Sequence, residues 1–165
     1  MILRLTQRLS KKLRITQLHI ISQEGNPYAD WSAHLFTAQR VQYIILTNTV
    51  SLYSMIMYGR GMSNEKNFIK GVLTYIKQFM AADGNKSILE KYIEPLANEI
   101  SFSKITDRRV MGSMNDLIFQ AKVYLIECQQ SPFHVSLHLN ESPMSYLKYG
   151  RPKDAFKALS FDNKK

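Results

Sequence analysis

Three runs in the first third of the chain, "WSAHLFTA", "VQYIILTNT" and "SLYSMIMYG", follow one another with only "QR" and "NTV" at the joints. They are rich in β-branched and aromatic residues, and gaps this short fit hairpins. The pattern predicts a meander of three antiparallel strands. In the third run Leu52, Ile56 and Tyr58 fall on one face and Tyr53, Met55 and Met57 on the other. Apolar residues on both faces predict a strand that is central or covered on both sides.

After "GRGMS" the period changes. Phe68, Val72, Tyr75, Ile76 and Phe79 form one stripe of an amphipathic helix over residues 64–82, with Ser63 as its N-cap and "DGN" at 83–85 as its stop. A second helix is expected over 86–98, with Ser87 and Glu90 at capping-box spacing and Pro95 bending it. "EISFSKI" alternates and reads as an edge strand. "MILRLT" reads as a strand followed by a short surface helix, "QRLSKKLR", in preference to an amphipathic targeting segment. Met114, Leu117, Ile118, Ala121, Leu125 and Cys128 make one face of another helix, and a last helix covers part of 143–159. The segment "PFHVSLHLNESP" is assigned to no element. These elements predict an α+β domain, with an antiparallel sheet of four to five strands and helices packed mainly on one face.

With 165 residues, 45% of them hydrophobic and 21% charged, the chain is long enough for one well-buried core. A single domain is expected over 1–165, with a loose tail after about residue 160. One cysteine, Cys128, excludes an internal disulfide and suits a reducing cytoplasm. No apolar run is long enough for a membrane helix, so no membrane role is expected. The net charge of +9 favours anionic partners, and Arg8, Lys11, Lys12 and Arg14 form an acid-free basic patch. Without a reading motif beside it, that charge predicts weak, non-specific nucleic-acid binding at most. Phe36, Tyr43, Tyr53 and Tyr58 on a sheet near this patch would suit base stacking, but aromatics more often fill cores.

"ITDRRVMGSMNDLIFQ", residues 105–120, concentrates polar groups before an apolar helix. Ser113 and Asp116 have capping-box spacing, and Gly112 would give a tight approach into the helix. Arg108 and Arg109 upstream raise the alternative of an anion site at the helix N-terminus, and Asp116 weighs against it. His134 and His138 stand at i, i+4, but neither a zincin glutamate nor a cysteine pair completes a metal site. No metal and no cofactor are expected.

Four blocks carry a resemblance: "MILRLTQRLSKKL", "DWSAHLFTAQRVQYIILTNTVSLYS", "TDRRVMGSMND" and "LNESPMSYLKYGRPKDAF". Together they resemble a family of uncharacterised bacterial domains of unknown function. The likeness rests on Asp30, Trp31, Arg40, Thr47 and Asn48, on the Gly-Ser-Met-Asn-Asp block, and on Asn140, Pro143, Met144, Tyr149, Pro152 and Phe156. His34 departs from it, where a small polar residue such as Asn is expected. The resemblance implies one domain with the blocks brought together, and it carries no catalytic residue. If the blocks converge, Thr47, Asn48, Asp107, Arg108, Ser113, Asn115 and Asn140 line a polar cleft. The alternative is that each satisfies local backbone, as a turn or a cap. The leading expectation for function is a non-enzymatic binding or regulatory module with a protein or nucleic-acid partner. An enzyme using the polar cleft is the alternative.

Overall fold

The computed structural model describes residues 1–23 and 25–161. The tail expected to be loose after about residue 160 lies mostly outside this range. Five strands form one sheet in the order β4-β3-β2-β1-β5: β1 Ile2–Leu5, β2 Asp30–Ala38, β3 Val41–Asn48, β4 Ser54–Tyr58 and β5 Ser101–Lys104. The meander is present, with β2 antiparallel to β3 and β3 to β4. The sheet as a whole is mixed, not antiparallel, because β1 runs parallel to both β2 and β5. The cause is the connection over residues 6–29. A parallel pair needs a crossover, and α1 (Gln7–Leu13) supplies it. Leu9 and Leu13 of this helix are buried with Leu3, Leu5 and Trp31, so its inner side belongs to the core.

Helices pack on both faces, which corrects the expectation of one. On one face α1, α2 (Glu65–Ala82) and α6 (Pro152–Lys157) cover Leu35, Ile44, Leu46, Met55 and Met57. On the other, α4 (Arg108–Ile126) covers Phe36, Tyr43, Ile45 and Ile56. The double-sided pattern in β4 arises this way, although β4 is an edge strand and not a central one. α5 (Pro132–Glu141) lies along that edge. Its Val135 and Leu139 pack on the α4 side, and Phe133 and Leu137 reach the other core.

Three helix starts differ from expectation. α2 is capped by Asn64, whose side chain accepts from Asn67 N–H at 2.9 Å, not by Ser63. Ser87 lies inside its helix and caps nothing. That helix runs as α3 (Lys86–Ile88), a π turn (Leu89–Ile93) and a 3-10 turn ending at Leu96, loosening around Pro95. The cap of α4 lies six residues before the expected one. Asp107 is its N-cap, accepting from Arg109 N–H at 2.8 Å, and Ser113 is buried within the helix. A carboxylate at this end satisfies both the free N–H groups and the helix dipole, and it lets Val110 dock in the first turn.

Candidate functional site

Register aligns one polar residue from every strand. Arg4 of β1 stands beside Ser103 of β5 and Ser32 of β2, Ser32 beside Thr47 of β3, and Thr47 beside Ser54 of β4. All five are buried on the face that α4 covers. Arg4 is the only charged member of this row. Its guanidinium donates from Nε and Nη2 to the two oxygens of Asp30, each at 2.7 Å. Nη1 donates to the Ile21 carbonyl at 2.8 Å and to Ser103 Oγ at 3.4 Å, and Nη2 to the Ser22 carbonyl at 3.3 Å. Five bonds use the five N–H groups of the side chain, leaving none for a ligand.

The rest of the row is closed in the same way. Ser32 Oγ is 2.9 Å from Thr49 Oγ1, and Thr47 Oγ1 is 2.9 Å from Ser54 Oγ. Asn140 of α5 then accepts from Ser54 N–H at 2.7 Å and donates to Ser54 O at 2.9 Å. Ser136, one turn earlier, accepts from Ile56 N–H at 2.8 Å. A small polar recess of about 120 Å³ opens beside Arg4, bounded by Ser22, Thr49, Thr106 and Asp107.

The residues expected to form a polar cleft are therefore only partly gathered. Thr47 and Asn140 meet through Ser54. Asn48 belongs to the β3–β4 turn, where its side chain accepts from the backbone of Ser51 at 3.0 Å and donates to Pro27 O at 2.8 Å. Asp107 lies at the recess near Arg4. Arg108 and Asn115 are exposed on α4, and Ser113 is buried in it. Asn140 makes no Asx-turn, because its amide is spent on β4.

A larger cavity lies elsewhere, at the carboxyl ends of β1 and β5. It measures about 820 Å³ and is bounded by Leu5 and Thr6 at the end of β1, Lys104 and Ile105 at the end of β5, the flank of α1 that carries Gln7, Ser10 and Lys11, and Met111 of α4. β1 is the strand from which the chain leaves to β2 on one side and meets β5 on the other. The helices that follow β1 and β5 cover opposite faces, which opens a crevice between them. In open sheets with parallel strands, such crevices at strand carboxyl ends are the usual ligand sites. Lys11, Arg14 and Lys104 line it, with no carboxylate among its lining residues.

The expected basic patch is thus divided. Lys11 and Arg14 border the cavity, whereas Arg8 bonds Thr37 and Lys12 bonds Gln42 over the β2–β3 hairpin. Phe36, Tyr43 and Tyr53 are buried and offer no stacking surface, and of the four expected residues only Tyr58 is exposed. His134 is held by Ser131 Oγ at 2.9 Å, and His138 stacks on Tyr124 at 4.6 Å. Among the described residues no group of three His, Cys, Asp or Glu side chains has metal-binding geometry. No helix among them is long and apolar enough to cross a membrane.

Ser136 was not among the residues expected at a site, and Asn140 was expected there without its helix. The signal was present: Ser131-Pro132 marks a helix start, and Ser136 and Asn140 repeat at i, i+4 directly after Val135 and Leu139. Compared with known proteins, the chain matches one family model, Domain of unknown function (DUF6933), over residues 2–155. No curated protein and no solved structure matches it.

Proposed function

Since the chain belongs to this family of unknown function, we propose from its geometry that it is a binding module whose site is the crevice at the carboxyl ends of β1 and β5. The observation that carries this is the lining. A cavity of about 820 Å³ at the strand switch point presents three cations and, among the described residues, no carboxylate. The internal bonding of the polar row supports binding over catalysis. The carboxylate beside the row, Asp30, is held bidentate by Arg4, and the hydroxyls of Ser32, Thr47 and Ser54 bond to other hydroxyls. The division of the basic patch supports a compact anionic ligand over an extended nucleic-acid strand, because Arg8 and Lys12 are engaged away from Lys11 and Arg14.

The test is a thermal-shift screen of small molecules against the wild type and a rim-blocked variant. Thr16 is exposed at the rim of the cavity, so Thr16→Trp adds bulk there without entering the core. Ligands of the crevice raise Tm in the wild type and lose that effect in Thr16→Trp. Hits that stabilise both proteins equally would move the site elsewhere.

A further inference from the structure

Resting on the crevice as the binding site, we propose that its ligand is a medium-chain carboxylate, an aliphatic chain with a single anionic head. The body of the ligand follows from the walls. Leu5, Ile15, Leu18, Ile105 and Met111 supply aliphatic surface, and no aromatic residue lines the cavity among the described residues. A nucleobase would find no ring to stack on, whereas an alkyl chain needs only such surface. Two of the polar side chains in the lining, Thr6 and Ser10, are already committed. Thr6 Oγ1 lies 3.0 Å from His34 Nδ1, and Ser10 Oγ donates to Gln7 O at 3.0 Å. A sugar or a polyol would bring several hydroxyls into a site with few free partners, at a cost for each one left unpaired.

The head follows from the charge. Lys11 of α1, Arg14 at its C-cap and Lys104 at the end of β5 all line the cavity, and all three are exposed. None of the three forms an ion pair among the described residues, although seven pairs occur elsewhere. The chain therefore enters the crevice first and leaves the carboxylate at the rim, in reach of the cations. Long basic side chains suit this arrangement, because their stems cover the alkyl chain while their heads stay in water.

Calorimetry with decanoate, decanol and decylamine tests the assignment on the full chain. Decanoate is expected to bind about tenfold more tightly than either of the others, the equivalent of about 1.4 kcal/mol. The triple variant Lys11→Gln/Arg14→Gln/Lys104→Gln changes only exposed residues. It should reduce decanoate binding to the level of decanol. Equal binding of all three compounds by the wild type, or a carboxylate preference that survives in the triple variant, would overturn the proposal. So would capture of phosphatidylserine vesicles without binding of free decanoate. If decanoate fails but another ligand is lost in Thr16→Trp, the ligand class is wrong and the site stands. If Thr16→Trp blocks nothing, the site itself is wrong.

Discussion

Asn140 meets Ser54 as a neighbouring strand would, accepting from its N–H at 2.7 Å and donating to its carbonyl at 2.9 Å. β4 is a sheet edge, and an uncovered edge presents unpaired backbone groups that invite further strands. α5 closes it with side chains, Asn140 at Ser54 and Ser136 at Ile56. The opposite edge is closed by the chain that follows α1. His19 O accepts from Lys104 N–H at 3.2 Å, and Ile21 N–H donates to Ser103 Oγ at 3.1 Å.

Replacement of Asn140 by Leu should therefore cost more than its change in volume suggests. Two buried backbone groups of Ser54 lose their partners, each worth about 1–3 kcal/mol. The expected loss in a urea melt is about 2–6 kcal/mol. Hydrogen exchange at the Ser54 amide should accelerate together with it. A loss below about 1 kcal/mol would mean that the edge is satisfied without α5.

Arg4 gives a second, sharper case. Arg4→Met leaves Asp30 buried without its counter-ion and frees the carbonyls of Ile21 and Ser22. Breaking such a pair by removing one partner costs about 3–5 kcal/mol. Removing both charges, in Arg4→Met/Asp30→Leu, should recover part of this, since a buried pair gains little over an apolar replacement. Guanidinium denaturation of the two variants reads the difference. A double variant no more stable than the single one would show that the ion pair is not the source of the cost.

The meander was legible in the sequence because hairpins are local, and short gaps leave little choice of partner. The parallel pairings were not. "MILRLT" and "EISFSKI" alternate in the same way whichever direction their neighbour runs, so periodicity is silent on β1 beside β2 and β5. The polar row was hidden for a related reason. Arg4, Ser32, Thr47, Ser54 and Ser103 each look like the solvent side of a half-buried strand, and only register shows them side by side beneath α4. Of the expected cleft, Thr47 and Asn140 were found together, but their link, Ser54, was not among the residues singled out. The crevice was invisible in sequence, since its walls come from the ends of two strands about a hundred residues apart and from helices on opposite faces.

The start of α4 separates two residues that the sequence makes equally plausible. Asp107→Ala removes the side chain that accepts from Arg109 N–H and should cost about 0.5–2 kcal/mol. The Asp107 carboxyl is held below its ordinary range, chiefly by that backbone N–H, so its contribution is present above pH 4 and is lost as acid protonates it. Ser113→Ala lies inside the helix and should be close to neutral. Gly112→Ala, with nothing near the added methyl, should stabilise by about 0.5–1 kcal/mol. Thermal melts of the three variants check the order. A loss at Gly112→Ala or Ser113→Ala as large as that at Asp107→Ala would return the helix start to the Gly-Ser pair.

His34 gives the chain a pH dependence with a defined sign. Its ring is half-buried between β1 and β3, close to Thr6 Oγ1, and its pKa is lowered from the ordinary 6.5 by burial first and by the Arg8 charge second. The unfolded chain therefore takes up a proton at a pH where the folded chain still resists it. Stability from this residue is complete above about pH 6.5 and falls as pH drops from there to the lowered folded value, below which it levels off. His34→Asn removes the titration and keeps a polar group for Thr6. The difference in Tm between the wild type and His34→Asn should stay constant from pH 8 to about 6.5 and then shift against the wild type. Arg8→Gln should make the shift shallower, because the folded pKa then rises toward its ordinary value. Parallel Tm curves for the wild type and His34→Asn across this range would show that the ring is as free to protonate in the fold as out of it.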